Sequence, residues 1–239
     1  MKKNLSAMNR GGSMLKDKRI RVITGHYGSG KTEFAVNYAL RLAEADKKVA
    51  IADLDVVNAY FRSREKKELF EEKGVRVISS SVEAPAIDVP AISADVHAPL
   101  QDESYDFIMD IGGDPIGARV LGSYRRYFIE GNYDMFCVIN ANRPETSTVE
   151  KTIEYLKNIE IIARAKVTGL INNTHLLRET TVDEVLKGQA LVKAVSKELD
   201  IPIKYVSTLR NVAEELPENI EGEVFPIDLI MREDWMDIK

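Results

Sequence analysis

The sequence predicts an α/β fold of the doubly wound type, with a single, mostly parallel sheet and helices on both faces. Short runs rich in apolar and β-branched residues alternate with stretches whose apolar residues recur at helical spacing. Several of the short runs are almost continuously apolar, as expected for parallel strands that helices cover on both sides. The predicted strands are residues 19–24, 48–53, 75–79, 105–111, 134–140, 166–172 and 203–207.

The helical pattern is clearest in residues 34–42 and 149–159, where apolar side chains recur every three to four positions. Residues 79–102 are the least regular part of the chain, and we expect a loop with a short helix there. Two residue pairs are typical of the capping box that opens a helix: Ser147 with Glu150, and Thr181 with Glu184.

Length and composition favour one globular domain. The chain has 239 residues, of which 44% are hydrophobic, so it can bury a substantial core. We assign residues 19–239 to one domain and residues 1–18, which are basic and lack the apolar core of a signal peptide, to a flexible extension. A net charge of −5 argues against nucleic-acid binding. No apolar run reaches membrane length, and the single cysteine, Cys137, suits a reducing cytoplasm.

The stretch "GHYGSGKT", residues 25–32, matches the pattern G-x-x-x-x-G-K-[ST]. Glycines allow the backbone to wrap closely around a phosphate group, and the start of the following helix adds partial positive charge. Lys31 can then reach the β- and γ-phosphates, and Thr32 can ligate magnesium. The predicted nucleotide-binding residues of this loop are Gly25, Tyr27, Gly28, Ser29, Gly30, Lys31, Thr32 and Glu33.

Two acidic segments complete the predicted site. Asp110 ends the apolar strand "FIMDI", and Gly113 follows three residues later, so a carboxylate and a backbone N–H can meet a magnesium ion and the γ-phosphate. Asp53 and Asp55 flank the end of the second predicted strand. We expect that strand to lie beside the first, which would bring both carboxylates to the phosphate loop.

Residues 19–215 resemble the SIMIBI class of P-loop NTPases, on the Rossmann-like branch with MinD/ParA, the nitrogenase iron protein and the arsenite-pump ATPase. This is the CobQ/CobB/MinD/ParA nucleotide-binding domain family. The resemblance implies that Asp55 orients the attacking water and, with Lys31, forms the catalytic set. It also implies that Thr32, Asp53 and Asp110 hold Mg²⁺.

The choice of base depends on residues 172–175, "NNTH". GTPases of the class carry Asn-Lys-x-Asp there, and this chain lacks the aspartate that pairs with guanine. The run is similar to the iron-protein pattern, which implies that Asn173 contacts adenine through its amide. The predicted cofactors are therefore ATP and Mg²⁺.

Two departures from the family bear on partners. MinD/ParA-type loops carry a lysine that reaches the partner subunit's nucleotide, whereas this chain has His26 at that position. The sequence therefore leaves it undecided whether the protein forms a homodimer. Arg62, Arg125 or Arg126 would either replace the lysine or be ordinary solvated side chains. The acidic C-terminus, residues 225–239, lacks the basic amphipathic helix of a MinD-type membrane anchor.

Three functions remain open. The first is a cytoplasmic, ATP-driven switch or ATPase that regulates or matures an unidentified protein partner. The second is a small-molecule kinase of the dethiobiotin-synthetase type, for which Arg62 and residues 123–128 would supply a basic substrate pocket. The third is a nucleotide-binding interaction module with little turnover. A GTPase metallochaperone fits less well, because Cys137 and three scattered histidines offer no ligand spacing.

Overall fold

The computed structural model describes residues 14–55, 67–79 and 94–231. Its centre is one eight-stranded sheet in the order β3-β2-β4-β1-β5-β6-β7-β8, and every described strand pair is parallel. The predicted fold class is confirmed. The strands are β1 (Ile20–Thr24), β2 (Val49–Leu54), β3 (Arg76–Ser79), β4 (Asp106–Ile111), β5 (Tyr133–Ile139), β6 (Gly169–Asn172), β7 (Ile203–Leu209) and β8 (Glu223–Ile227).

The sequence analysis missed β8, the strand at one edge of the sheet. Its sequence, "EVFPI", contains Pro226, which cannot donate to a strand ladder and is tolerated at a sheet edge. Phe225 is fully buried and fixes the strand against the core. Because the strand is short and its apolar run is interrupted by a proline, which argues against a strand, the run did not identify it.

The expected position of β2 beside β1 is wrong. β4 lies between them, and it pairs with β1 on one side and β2 on the other. The β2–β4 register places Asp53 opposite Asp110. Since the carboxyl ends of parallel strands meet at one edge, this order still brings both acidic segments next to the loop after β1.

Helices cover both faces of the sheet. They are α1 (Lys31–Glu44), α2 (Lys67–Glu72), α3 (His97–Gln101), α4 (Pro115–Arg119), α5 (Val149–Ala163), α6 (Val182–Leu199) and α7 (Arg210–Ala213). α3 is the short helix expected within residues 79–102, of which residues 80–93 lie outside the described part. Within the described residues, no helix has the length and apolar character needed to cross a membrane.

One of the two predicted helix caps is confirmed. The Thr181 side chain accepts a hydrogen bond from the Glu184 backbone N–H at the start of α6. At α5 the cap is Thr148, which accepts from Lys151 N, so the prediction of Ser147 is wrong by one residue. Ser147 instead donates its hydroxyl to Pro144 O.

The hydrophobic core has two main parts, one on each face of the sheet. Successive residues of a strand pack into different parts. Val22 packs into the part that α5 and α6 cover, and its neighbour Ile23 packs into the part that α1 covers. α1 contributes Phe34, Tyr38 and Leu42 to the second part, as its spacing predicts. These layers hold the strand ends, and therefore the loops that follow them, in fixed positions.

The N-terminal boundary of the fold lies earlier than the expected extension of residues 1–18 implies. Residues 1–13 are outside the described part, but Met14 and Asp17 are buried. The Asp17 carboxylate accepts hydrogen bonds from the hydroxyls of Tyr38 (2.8 Å) and Tyr205, and it pairs with Lys204 Nζ at 2.7 Å. Residues 14–17 are therefore part of the domain.

Asp17→Ala should destabilise the protein, because it leaves two buried phenols and the Lys204 ammonium without their acceptor. We expect the free energy of unfolding to fall by about 3 kcal/mol. Denaturant unfolding measures it, with Glu72→Ala, an exposed carboxylate on α2, as the control. A loss no larger than that of the control would contradict the assignment of residues 14–17 to the fold.

Candidate functional site

The glycine-rich loop joins β1 to α1 and has the backbone conformation that its glycines permit. Gly28 (φ 73°) and Gly30 (φ 82°) both lie in the left-handed region, which L side chains rarely adopt. A Cβ at Gly25 would lie 2.5 Å from Val138 O, so a side chain does not fit there. The loop is a tight turn whose backbone N–H groups lead into the start of α1.

Side chains from the segments after β5 and β6 brace this loop. Asn173, after β6, donates its amide to Ser29 O at 2.7 Å, and Arg143, after β5, donates its Nε–H to Gly28 O at 2.8 Å. The sequence analysis assigned Asn173 to the base and missed Arg143. The polar run "NANRPET" directly after an apolar strand is the signal that would have pointed to Arg143.

Lys31 and Asp55 form a buried ion pair. Lys31 Nζ lies 2.5 Å from Asp55 Oδ2, and both side chains are about 5% exposed. Burial alone would lower the pKa of Lys31, but the carboxylates of Asp110 and Asp55 outweigh it and raise that pKa. The two residues predicted to be catalytic are therefore in direct contact, with the ammonium held in its charged form.

The predicted magnesium ligands cluster beside this pair. Thr32 donates its hydroxyl to Asp110 Oδ2 at 2.6 Å, and Asp53 Oδ1 accepts from the Asp55 backbone N–H at 3.3 Å. Asp110 is completely buried, and that burial raises its pKa to about 6, against the attraction of Lys31. Its second oxygen, Oδ1, has no hydrogen-bond partner among the described residues.

These residues fit a hydrated magnesium ion. Mg²⁺ favours oxygen ligands, keeps several waters and is bound through one or two carboxylates together with substrate phosphates. The Thr32 hydroxyl, the Asp110 carboxylate and the neighbouring Asp53 carboxylate offer such a donor set. In the described part of the chain, no group of three or more histidine, cysteine, aspartate or glutamate residues has the arrangement of a protein-only metal site.

Gly113 lies directly against the glycine-rich loop. A Cβ on Gly113 would overlap the carbonyl oxygen of Gly25, and the Tyr155 hydroxyl donates to Gly113 O at 3.0 Å. Burial raises the pKa of Tyr155 well above its usual range, so this donor stays protonated. Tyr155, from α5, was not predicted; it fixes the segment after β4 against the loop after β1.

Two cavities flank the loop. The larger, about 600 Å³, lies on the side of Asp55 and Gly113, and the smaller, about 260 Å³, lies on the side of Asn173. Lys31 and Tyr27 line both, so the loop separates them. The larger is lined by His26, Tyr27, Lys31, Asp55, Gly113, Asp114, Pro144, Glu145, Lys151, Glu154, Tyr155, Asn158, Ile159 and Ile162. The smaller is lined by Tyr27, Gly28, Gly30, Lys31, Thr32, Glu33, Arg143, Asn173, His175, Leu177, Thr180, Thr208, Leu209, Ile227, Leu229 and Met231.

The smaller cavity combines apolar walls with buried polar atoms. Asn173 and Thr208 are each 2% exposed, and Asn173 Oδ1 and Thr208 Oγ1 have no hydrogen-bond partner among the described residues. Buried polar atoms are normally paired, so these two are candidates for contact with a ligand. Thr208 was not predicted; its position near the carboxyl end of β7 is the signal that would have found it.

Several residues considered in the sequence analysis lie away from these cavities. Arg125 and Arg126 line neither, and Arg126 donates to Tyr127 Oη at 2.7 Å. Arg62 lies outside the described residues. His26 lines the larger cavity, with Nδ1 3.4 Å from Glu145 Oε2. Cys137 is buried within β5, and burial raises its thiol pKa to about 12.

No family model and no curated protein sequence matches this chain. Among solved structures, it is similar to FtsY from Mycoplasma mycoides (21% identity, TM-score 0.51, covering 77% of this chain and 58% of that one). It is also similar to the cell division protein FtsY of Thermotoga maritima (23%, 0.52, 87% and 64%). A third is chloroplast FtsY from Physcomitrella patens (18%, 0.53, 78% and 57%).

The chain thus spans between 57% and 64% of the length of these three structures. At such identities the likeness shows the fold alone. It is the Rossmann-like α/β fold of P-loop NTPases, here with the glycine-rich loop and the strand-end carboxylates in place. The comparisons do not support the narrower MinD/ParA-like branch that the motifs resemble.

Gly113→Ala should disrupt the loop, since the new methyl group would overlap the Gly25 carbonyl. We expect a loss of about 3 kcal/mol in the free energy of unfolding. The matched control is Gly122→Ala, where a Cβ meets no atom within 4 Å and the change should stay within about 0.5 kcal/mol. Equal effects of the two substitutions in thermal or denaturant unfolding would show that Gly113 is not tightly enclosed.

Proposed function

We propose that the protein binds ATP with Mg²⁺ and hydrolyses it as a nucleotide-dependent switch acting on another protein. The observation that carries the proposal is the environment of Lys31. Its buried ammonium stands at the end of a phosphate-type loop, among the carboxylates of Asp53, Asp55 and Asp110. Three carboxylates around one ammonium leave an excess of negative charge, which the Mg²⁺ ion of a magnesium nucleotide would offset while Lys31 meets the phosphates.

The two cavities support one orientation for the nucleotide. The triphosphate would follow the backbone of Gly28–Thr32, with its terminal phosphate towards Asp55 and Gly113. The base and ribose would then occupy the smaller cavity, whose apolar walls suit a flat aromatic ring. The larger cavity stays open next to the terminal phosphate, on the side where a partner can approach.

The polar groups of the smaller cavity favour adenine. Guanine recognition calls for a carboxylate that accepts from N1–H and the exocyclic amine. Glu33 is the one acidic side chain lining the smaller cavity in the described part, and its carboxylate accepts from the backbone N–H groups of Ile230 and Met231. Asn173 Oδ1, in contrast, can accept a hydrogen bond from the adenine amine.

The Lys31–Asp55 pair suggests how binding and hydrolysis are linked. A terminal phosphate that reaches Lys31 takes the place of the Asp55 carboxylate as its counter-charge. Asp55 is then available to accept a hydrogen bond from the attacking water and orient it. Thr32, Asp110 and Asp53 would hold the magnesium ion, which neutralises charge on the phosphate oxygens.

The larger cavity argues for a protein partner over a small acidic substrate. Asp114, Glu145 and Glu154 line it, against Lys151 and His26. Among the described residues, this balance is unfavourable for a carboxylate or carbamate, which argues against the dethiobiotin-synthetase alternative. Arg62, on which that alternative also depends, lies outside them. Cationic side chains of a protein partner, or of a second copy in a homodimer, fit better. The cytoplasmic location and the lack of nucleic-acid binding stay predictions from sequence.

ATP with Mg²⁺ should stabilise the protein more than GTP does. Ligand at about 100 times its Kd adds roughly 2.7 kcal/mol, which corresponds to about 5 to 10 °C in the thermal midpoint at this size. Thermal-shift measurements at matched concentrations test it. Equal stabilisation by GTP would contradict the adenine assignment. A Lys31→Ala variant that still binds ATP normally would contradict the assignment of residues 25–32 as a phosphate-binding loop.

Asp55→Asn should separate binding from hydrolysis. We expect ATP affinity to stay within a few-fold and turnover per folded molecule to fall about 100-fold or more. The reason is that the attacking water loses the carboxylate that accepts its hydrogen bond and orients it. The nucleotide-free variant should also lose about 3 kcal/mol of stability, since Lys31 is left buried without its nearest counter-charge.

The control for this experiment is Asp46→Asn, the same change at an exposed turn whose positive φ (58°) asparagine tolerates. An alternative is that Asp55 only caps the segment that follows it. That alternative predicts lower stability with unchanged turnover. Phosphate release and thermal unfolding, measured on the same preparations, decide between the two.

A further inference from the structure

We infer that Glu33 is a positioning residue, which holds the C-terminal segment of residues 227–231 in place as a wall of the base pocket. Glu33 therefore governs affinity for the base but not for the phosphates. The inference rests on the proposed function, because it takes the smaller cavity as the base pocket. The sequence analysis expected Glu33 to bind the cofactor directly. The structure shows its carboxylate engaged with the chain itself.

The Glu33 carboxylate accepts hydrogen bonds from the backbone of this segment. Its Oε1 accepts from the Ile230 backbone N–H at 2.5 Å and from the Met231 backbone N–H at 3.1 Å, and Oε2 lies 3.3 Å from the latter. Hydrogen bonds to a carboxylate are stronger than neutral ones. The first turn of α1 therefore captures a segment that lies almost 200 residues further along the chain.

A second contact holds the same segment one turn further along α1. The Asn37 amide donates to Asp228 O at 2.9 Å, and Asn37 Oδ1 accepts from the Asp228 backbone N–H at 2.9 Å. The Asp228 carboxylate also pairs with both Arg210 Nε and Nη2, at 2.7 and 2.6 Å. These contacts fix the path of the segment along the helix, so Glu33 sets the position of its far end.

The segment carries much of the apolar lining of the smaller cavity. Ile227, Leu229 and Met231 all line that cavity, with Met231 2% exposed. Asn173 and Thr208 bring the polar atoms. A base bound there is in contact with the segment, whereas the phosphates lie on the loop backbone. Loss of the Glu33 contacts should therefore weaken binding only of ligands that carry a base.

Isothermal titration calorimetry with ATP and with inorganic tripolyphosphate, both with Mg²⁺, tests this. Glu33→Ala should lose about 10-fold or more in ATP affinity while tripolyphosphate affinity changes less than about 3-fold. Glu33→Gln removes the same charge but retains an oxygen acceptor, so it should recover part of the ATP affinity. Leu229→Ala shortens the wall at a half-buried position and should show the same selective loss.

Glu44→Ala, an exposed glutamate at the other end of α1, is the control and should leave both affinities unchanged. Parallel losses for both ligands in Glu33→Ala would overturn the inference, because Glu33 would then act through the phosphate loop. So would ATP affinity that neither Glu33→Ala nor Leu229→Ala lowers. Wild-type protein that binds neither ligand would instead refute the proposed function, and with it the inference.

Discussion

A lysine ammonium that is about 6% exposed is expensive to bury, and its surroundings have to compensate for the water that it loses. Lys31 is compensated by Asp55 at 2.5 Å and by the field of Asp110. β4 lies between β1 and β2, and its register with β2 places Asp53 opposite Asp110. This arrangement brings Asp55, just after β2, and Asp110, on β4, next to Lys31. The strand order, the strand-end acids and the glycine loop therefore depend on one another through a single charge.

The same charge divides the site into two unlike halves. On one side the cavity is large and carries more acids than bases around Asp55 and Gly113. On the other it is smaller, has one acidic side chain among the described lining residues, and is also lined by Asn173 and Thr208, whose side chains hold buried oxygens without a partner. Under the proposed function, the Mg²⁺ ion of a magnesium nucleotide offsets the excess of carboxylates near Lys31, and the base occupies the smaller half. A small dianionic acid matches neither half.

The sequence was informative where a function depends on neighbouring residues. The loop from Gly25 to Thr32 and the strand-terminal Asp110 are local patterns, and the structure brings them together. The sequence was uninformative where a residue or strand contacts a part of the chain that is remote in sequence. Tertiary packing decides the position of β4 in the sheet, the edge strand β8 and the hydrogen bond from Arg143 to Gly28 O. Asn173 shows the limit most clearly, since its amide nitrogen donates to Ser29 O, a remote contact that no local pattern indicates.

The first turn of α1 joins these parts. Successive residues of a helix point about 100° apart, so three neighbours face three directions. Lys31 contacts Asp55 after β2, Thr32 contacts Asp110 on β4, and Glu33 holds the backbone of the C-terminal segment. The turn therefore connects three parts of the molecule through one short piece of backbone: the segment after β2, the strand β4 and the C-terminal segment. Under the proposed function, it places the terminal phosphate at Lys31, the metal ion at Thr32 and, through Glu33, the wall of the base pocket, each on a different side of the helix.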